Sequence, residues 1–260
     1  MKTLYRSQNA SKAGITFTAL ALMLGLTLSS SPALAQTVNF QQGESPDNTF
    51  SHQVTYIREG QSTTNLNGED LLVGFNGSGT ARRLRAIFSY DFSEGFSPGL
   101  TFTDLELTLT VASGSSDAIV MDIFELTPGG NVENLFSESE ATWNNYATGT
   151  PWSTPGGDFD SNSVLTFADS TGNTSTGDKV TFGSTSAFVS AAQAAYDEDR
   201  LFQFIIVSQT ESTADLMRFD DNSSTVADRP LLTVTAIPEP GTLILVGIAL
   251  GSLLLFRRRK

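Results

Sequence analysis

The chain has 260 residues, with 28 acidic side chains against 15 lysines and arginines, one histidine and no cysteine. Thiol nucleophiles, disulfide scaffolds and multi-histidine zinc sites are excluded, and a Ser-His-Asp triad would have to use His52, which reads as an ordinary exposed polar residue. Residues 36–236 hold 27 of the acids and eight cations, a net charge of −19. Such a surface repels phosphate backbones, which argues against nucleic acid as a partner; it suits divalent cations and neutral or cationic partners.

The N-terminus opens with Lys2, Arg6 and Lys12, followed by an uncharged apolar run from Ile15 to Leu28 and a Ser/Pro stretch ending in Ala33-Leu34-Ala35. A positive flank, a short apolar core and small residues at the −3 and −1 positions, Ala33 and Ala35, predict a secretory signal helix over residues 1–35, cleaved after Ala35. Export is therefore expected. Without disulfides the exported domain must be held by its core, and structural calcium is the one cofactor its abundant carboxylates would take.

Residues 36–236 remain for one domain, about 200 residues, which is too short for two comfortable ones. Strand signals dominate it. Short strands are predicted at Val54 to Ile57 and Leu71 to Gly74. In "RRLRAIFSYDF", Leu84, Ala86, Phe88, Tyr90 and Phe92 share one face, with Arg83, Arg85, Ser89 and Asp91 on the other and Ile87 out of pattern. "LELTLTV" alternates cleanly, with Leu105, Leu107, Leu109 and Val111 inward. "IVMDIFEL" and "LFQFIIVS" are apolar on both parities, as strands covered on both sides should be. Further strands are predicted at Val164 to Phe167, Lys179 to Phe182, Leu216 to Phe219 and Leu231 to Thr235. One helix is predicted in "STSAFVSAAQAAYDED", capped by Ser184 or Thr185. Gly-, Ser-, Asn- and Asp-rich connectors separate these elements. The pattern predicts an all-β domain, a jelly-roll-like β-sandwich with one short helix.

Candidate chemistry is sparse. Arg83 and Arg85 lie on one face of a strand that Arg82 begins from the other, a local cationic cluster in an acidic domain. Guanidinium groups there would meet anionic sugars, or else pair with acids such as Asp91 or Glu106 on adjacent strands. Trp143 and Trp152 flank "NNYATGTP"; Trp143 reads as a core anchor, and Trp152 as either a core residue or a platform for a sugar ring. Asp158 and Asp160 in "GGDFD", with Asp220, Asp221 and Asn222 in "RFDDNSS", offer oxygen ligands of the calcium kind without EF-hand spacing, and equally suit polar turns. A carboxylate pair for glycoside hydrolysis could be drawn from so many acids, but no nucleophile motif, phosphate loop or cofactor fingerprint is present.

At the C-terminus "TAIPEP", which ends in Pro238, Glu239 and Pro240, reads as a short linker to the tail. Gly241 to Phe256, 16 uncharged residues, would span about 24 Å as a helix against a hydrocarbon core of about 30 Å. Arg257, Arg258, Arg259 and Lys260 would then stop translocation with the domain outside, and the Pro-x-Pro segment would stay extended and accessible at the outer membrane surface. These parts, in this order behind a signal peptide, resemble the PEP-CTERM sorting signal of bacterial surface proteins. The resemblance implies transient inner-membrane anchoring over residues 237–260 and a processing protease of the exosortase type as partner, in bacteria that make exopolysaccharide; the alternative is a plain permanent anchor.

The middle of the chain, roughly Gln53 to Thr235, is similar to the DNRLRE family of exported β-sandwich domains related to carbohydrate-binding modules. The likeness is carried by "TYIREG", "LLVG", "RRLRAIFSYDF", "EATWNN", "GGDFD", the helix before "LFQFIIVS", and "ADRPLLTVT". It implies a jelly-roll fold and a binding or structural role. The expectation is therefore a non-catalytic protein of the cell surface or extracellular matrix, with exopolysaccharide as its candidate contact. The alternatives are a polysaccharide-degrading enzyme using a carboxylate pair, or a structural matrix protein with no ligand.

Overall fold

The computed structural model of the protein describes residues 34–77, 82–114 and 116–239. Most of the signal segment with Ala33, Pro240, the apolar run of the tail and the cations Arg257, Arg258, Arg259 and Lys260 lie outside the described residues. Among the described residues, no helix is long and apolar enough to cross a membrane.

The strands are β1 (Gln36–Gln41), β2 (Gln53–Arg58), β3 (Leu71–Asn76), β4 (Arg82–Tyr90), β5 (Leu100–Thr110), β6 (Val120–Glu125), β7 (Asn145–Ala147), β8 (Thr150–Pro151), β9 (Val164–Asp169), β10 (Lys179–Phe182), β11 (Phe202–Ser208), β12 (Leu216–Phe219) and β13 (Leu231–Pro238). Among the described residues a single α-helix, α1, covers Ser186–Asp197. Every strand pairing is antiparallel. One sheet runs β1-β13-β5-β10; a larger one runs β12-β3-β4-β11-β6-β9, with β2 also paired to β4, and β7 and β8 form a small ribbon.

The alternation of β5 places Leu105, Leu107 and Leu109 in the main core, which they share with Val234 of β13, Ala86, Phe88 and Tyr90 of β4, and Phe202, Phe204 and Ile206 of β11. Both sheets therefore bury their facing sides in one apolar layer. Phe204 stacks on Phe88 at 5.0 Å between ring centroids and meets Phe188 of α1 edge-on at 6.0 Å. Each ring so buried contributes about 1.5–3 kcal/mol. Helix α1 begins as its sequence demands, with Thr185 accepting the Phe188 amide at 3.1 Å. It buries Phe188, Ala192 and Ala195 and packs on β5, β9 and β11.

The larger sheet is also covered on its outer side, where Ile57, Ile87, Ile205 and Val207 meet Leu126, Phe136, Ala141, Trp143 and Trp152 from the long connection after β6. This second apolar layer explains why β11 is buried along its whole length, and why Ile87 interrupts the polar face of β4. Two glutamines of the sheet fix the connection. Gln53 accepts the Glu138 amide at 2.9 Å; Gln203 accepts the Phe136 amide at 3.1 Å and donates to the Asn134 carbonyl at 2.7 Å. Buried backbone that no ladder satisfies is thus satisfied by side chains.

Three expectations are corrected here. β1 is a strand that the sequence did not announce, and β13 does not stop at Thr235 but continues through Pro238. His52 is not exposed: it is 3 % accessible, stacked on Tyr90 at 4.5 Å and on Phe50 at 5.8 Å. Neither of its ring nitrogens has a hydrogen-bond partner, and burial pushes its pKa down from 6.5 to about 3. The unfolded chain therefore takes up a proton that the folded one refuses, so this group lowers stability progressively as pH falls from 6.5 toward 3. At pH 5 the loss is about 2 kcal/mol, and His52→Phe, which keeps the ring stack, should abolish it. Urea unfolding of both proteins at pH 7 and pH 5 measures the difference.

Candidate functional site

Arg83 and Arg85 stand two residues apart on β4 and so project from the same, outer face of the larger sheet. The connection over that face brings Trp143 between them. The guanidinium of Arg83 lies 5.1 Å from the centre of the Trp143 ring system and that of Arg85 5.2 Å from it, while Arg85 is also 5.2 Å from the Phe159 ring. Each fork is closed by one carboxylate. Arg83 donates through Nε and Nη2 to Glu59 at 3.0 and 2.9 Å. Arg85 donates through Nε and Nη2 to Glu211 at 2.7 and 2.6 Å, and its Nη1 reaches the Gly156 carbonyl at 2.7 Å. The hydrogen bonds from Arg83 hold the Glu59 carboxyl below its usual range.

The two pairs differ in solvation. Side-chain exposure is 38 % and 34 % for Arg83 and Glu59, but 8 % and 16 % for Arg85 and Glu211. Arg85 is therefore an internal strut, and Arg83 is the cation that meets solvent. Arg82 points elsewhere, its Nε buried without a hydrogen-bond partner beside Gly60.

Gly156 has φ +99°, and a Cβ there would sit 2.6 Å from Trp143 and 3.0 Å from Arg85 Nη1. Only glycine admits both the left-handed backbone and that contact. Two residues on, Asp158 is buried and its carboxylate is fully engaged: Oδ2 accepts the Gly129 and Ser153 amides, and Oδ1 the Thr154 amide, each at 2.8 Å. It clasps two loops together. A cleft of about 400 Å³ opens beside this clasp, lined by Arg83, Arg85, Thr127, Phe159 and Asp160 among others. Asp160 is exposed, and hydrogen bonds from Asn162 and Ser163 hold its pKa low.

The structure gathers Arg83, Arg85, Asp158 and Asp160 around one cleft and sends the other candidates elsewhere. Of the two readings of Trp152, the core residue is what the structure places and the platform is not: it is 3 % exposed, and its indole N–H donates to the Thr142 carbonyl at 2.8 Å. Asp221 is buried and accepts from the Ser223 amide at 2.9 Å, and Asp220 accepts from the Ser224 hydroxyl at 2.9 Å, both closing a turn. Among the described residues, no three acidic or histidine side chains stand together so as to hold a metal ion. The arginine partners suggested by the sequence are replaced by Glu59 and Glu211. Asp91 instead accepts from Ser93, and Glu106 lies exposed on the other sheet. Phe159 was also missed, though its place in "GGDFD" beside the buried Asp158 was the available signal.

The carboxyl pushed nearest to neutrality is Glu138, raised to about 7 chiefly by burial, with Asp221 nearby adding to the effect. Neither lines the Arg83 cleft.

The second site is the start of the tail. β13 pairs Ile237 with Thr101 and Pro238 with Leu100, and the Glu239 amide donates to the Gly99 carbonyl at 3.2 Å. On the other edge of β13, β1 begins at Gln36 opposite Ala236. Residues 236–260 match the PEP-CTERM protein-sorting motif. The chain ends in a PEP-CTERM sorting signal. That signal marks an exported protein sorted by exosortase. The match covers the tail alone, and no curated protein matches the chain.

Proposed function

We propose that this PEP-CTERM protein is a non-catalytic component of the cell surface or extracellular matrix, and that its domain, a jelly roll of the DNRLRE kind, contacts exopolysaccharide through the Arg83 cleft. The observation that carries the reading is the direct continuity between the last strand of the β-domain and the sorting signal, which makes the domain the cargo. Its strand β1 begins at Gln36, the residue that signal cleavage after Ala35 would expose. The cleft supplies a half-exposed guanidinium, the partly buried Phe159 ring and the acceptor oxygens of Asp160. Paired with Glu59, Arg83 is a neutralised donor, and it suits hydroxyl-rich chains better than densely anionic ones. In this reading the enzyme alternative is set aside, because both carboxylates of the cleft are already committed, Asp158 to three backbone amides and Asp160 to Asn162 and Ser163.

Binding of the host exopolysaccharide to the purified mature protein tests the reading. Retention without released oligosaccharide is expected, and Arg83→Ala should weaken it at least about tenfold through one lost charged hydrogen bond. Released oligosaccharide that disappears on replacing one acid would establish the enzyme instead, and absence of both binding and release would leave a matrix protein without a ligand.

A further inference from the structure

We infer that the folded domain withholds the sorting motif from its processing protease, so that the end of β13 must peel away before the motif can be read. The inference rests on the reading that the tail is processed at the motif. Two of the three motif residues, Pro238 and Glu239, belong to the sheet and not to a linker. Ile237 and Pro238 continue the β13–β5 register, and the Glu239 amide is bonded to Gly99. No spacer residue separates the domain from the motif.

A protease that reads an extended segment needs its backbone edges and both faces, and here one edge is taken by β5. Among the described residues the other edge is open because β1 starts at Gln36, opposite Ala236, so Ile237, Pro238 and Glu239 have a strand neighbour on one side only. The register of β13 also slips between Thr235 and Ala236. These last residues are thus the part of the strand that opens at least cost. Proline at this position fits the same logic, since it has no N–H to give to a second neighbour. Holding and release are therefore both built into Leu100–Thr101 and the end of β13.

Two variants of the full chain separate the possibilities. Inserting six Gly/Ser residues between Ala236 and Ile237 lets the insert occupy the β5 positions and carries the motif about 20 Å outward. Processing should then accelerate, by about tenfold if the motif is free a tenth of the time in the wild type. Conversely, Thr101→Cys with Ile237→Cys places cysteines on a paired position of a chain that has none, at a spacing that antiparallel strands and disulfides share. Processing of this stapled chain should stop when oxidised and recover with reductant. Tail loss is followed by intact mass in the native host, with Pro238→Ala, Pro240→Ala as the motif control. Equal rates in wild-type, extended and stapled chains, with the control blocked, would overturn the withholding while leaving processing intact. Retention of the tail in wild type and control alike would overturn the processing reading and the withholding with it.

Discussion

Arg85→Ala should destabilise the domain by about 3–5 kcal/mol, the cost of stranding one partner of a buried ion pair. The change leaves the Glu211 carboxylate at 16 % exposure without its fork, removes the donor to the Gly156 carbonyl, and takes a cation off both Trp143 and Phe159. Arg85→Lys should recover little, because an ammonium cannot make the two-pronged contact and reach Gly156 together. Arg85→Met combined with Glu211→Gln should cost less than Arg85→Ala alone, since it removes both charges. The neighbouring pair provides the contrast: Arg83 and Glu59 are each more than a third exposed, so Arg83→Ala should cost no more than about 1 kcal/mol. Urea unfolding of the set measures all four, and similar losses for Arg83 and Arg85 would contradict the division between strut and surface donor.

Asp158→Ala should have an effect of comparable size, about 3–6 kcal/mol, because it orphans the amides of Gly129, Ser153 and Thr154 at once. Detachment of the connection would expose Trp143 and Trp152, so loss of the near-ultraviolet signal should accompany the drop in stability. Asp158→Asn should fall between, since one amide oxygen remains. The same geometry bears on calcium, because both carboxylate oxygens already face N–H donors. Melting of the wild type is expected to be the same with calcium and with chelator, and a calcium-dependent rise that disappears in Asp158→Asn would contradict the clasp.

The repeating parts of the fold were legible, and the parts that depend on distant partners were not. Leu105, Leu107 and Leu109 declare the inward face of β5, and Phe188, Ala192 and Ala195 declare the buried side of α1. β1 was hidden because "QTVNFQ" has only Val38 and Phe40 as apolar residues, and its partner, β13, lies nearly 200 residues away. The apolar runs in β6 and β11 signalled cover on both sides, but the cover comes from an irregular connection whose apolar residues follow no period. For the arginines, the face was readable from spacing, while Glu59 and Glu211 stand 24 and 126 residues from their partners. His52 misled for a related reason. A lone histidine in a polar stretch reads as surface, and its burial comes from stacking between Tyr90, on a strand that follows well after it in the chain, and Phe50. Pro238 normally ends a strand, yet it is tolerated where β1 has already stopped.

Export behind the signal peptide followed by removal of the tail is tested most directly by the intact mass and location of the protein recovered from its native host. It predicts a product outside the cytoplasm that begins at Gln36 and lacks the apolar tail. A full-length 27.8 kDa chain in the cytosol, with both apolar ends retained, would contradict it.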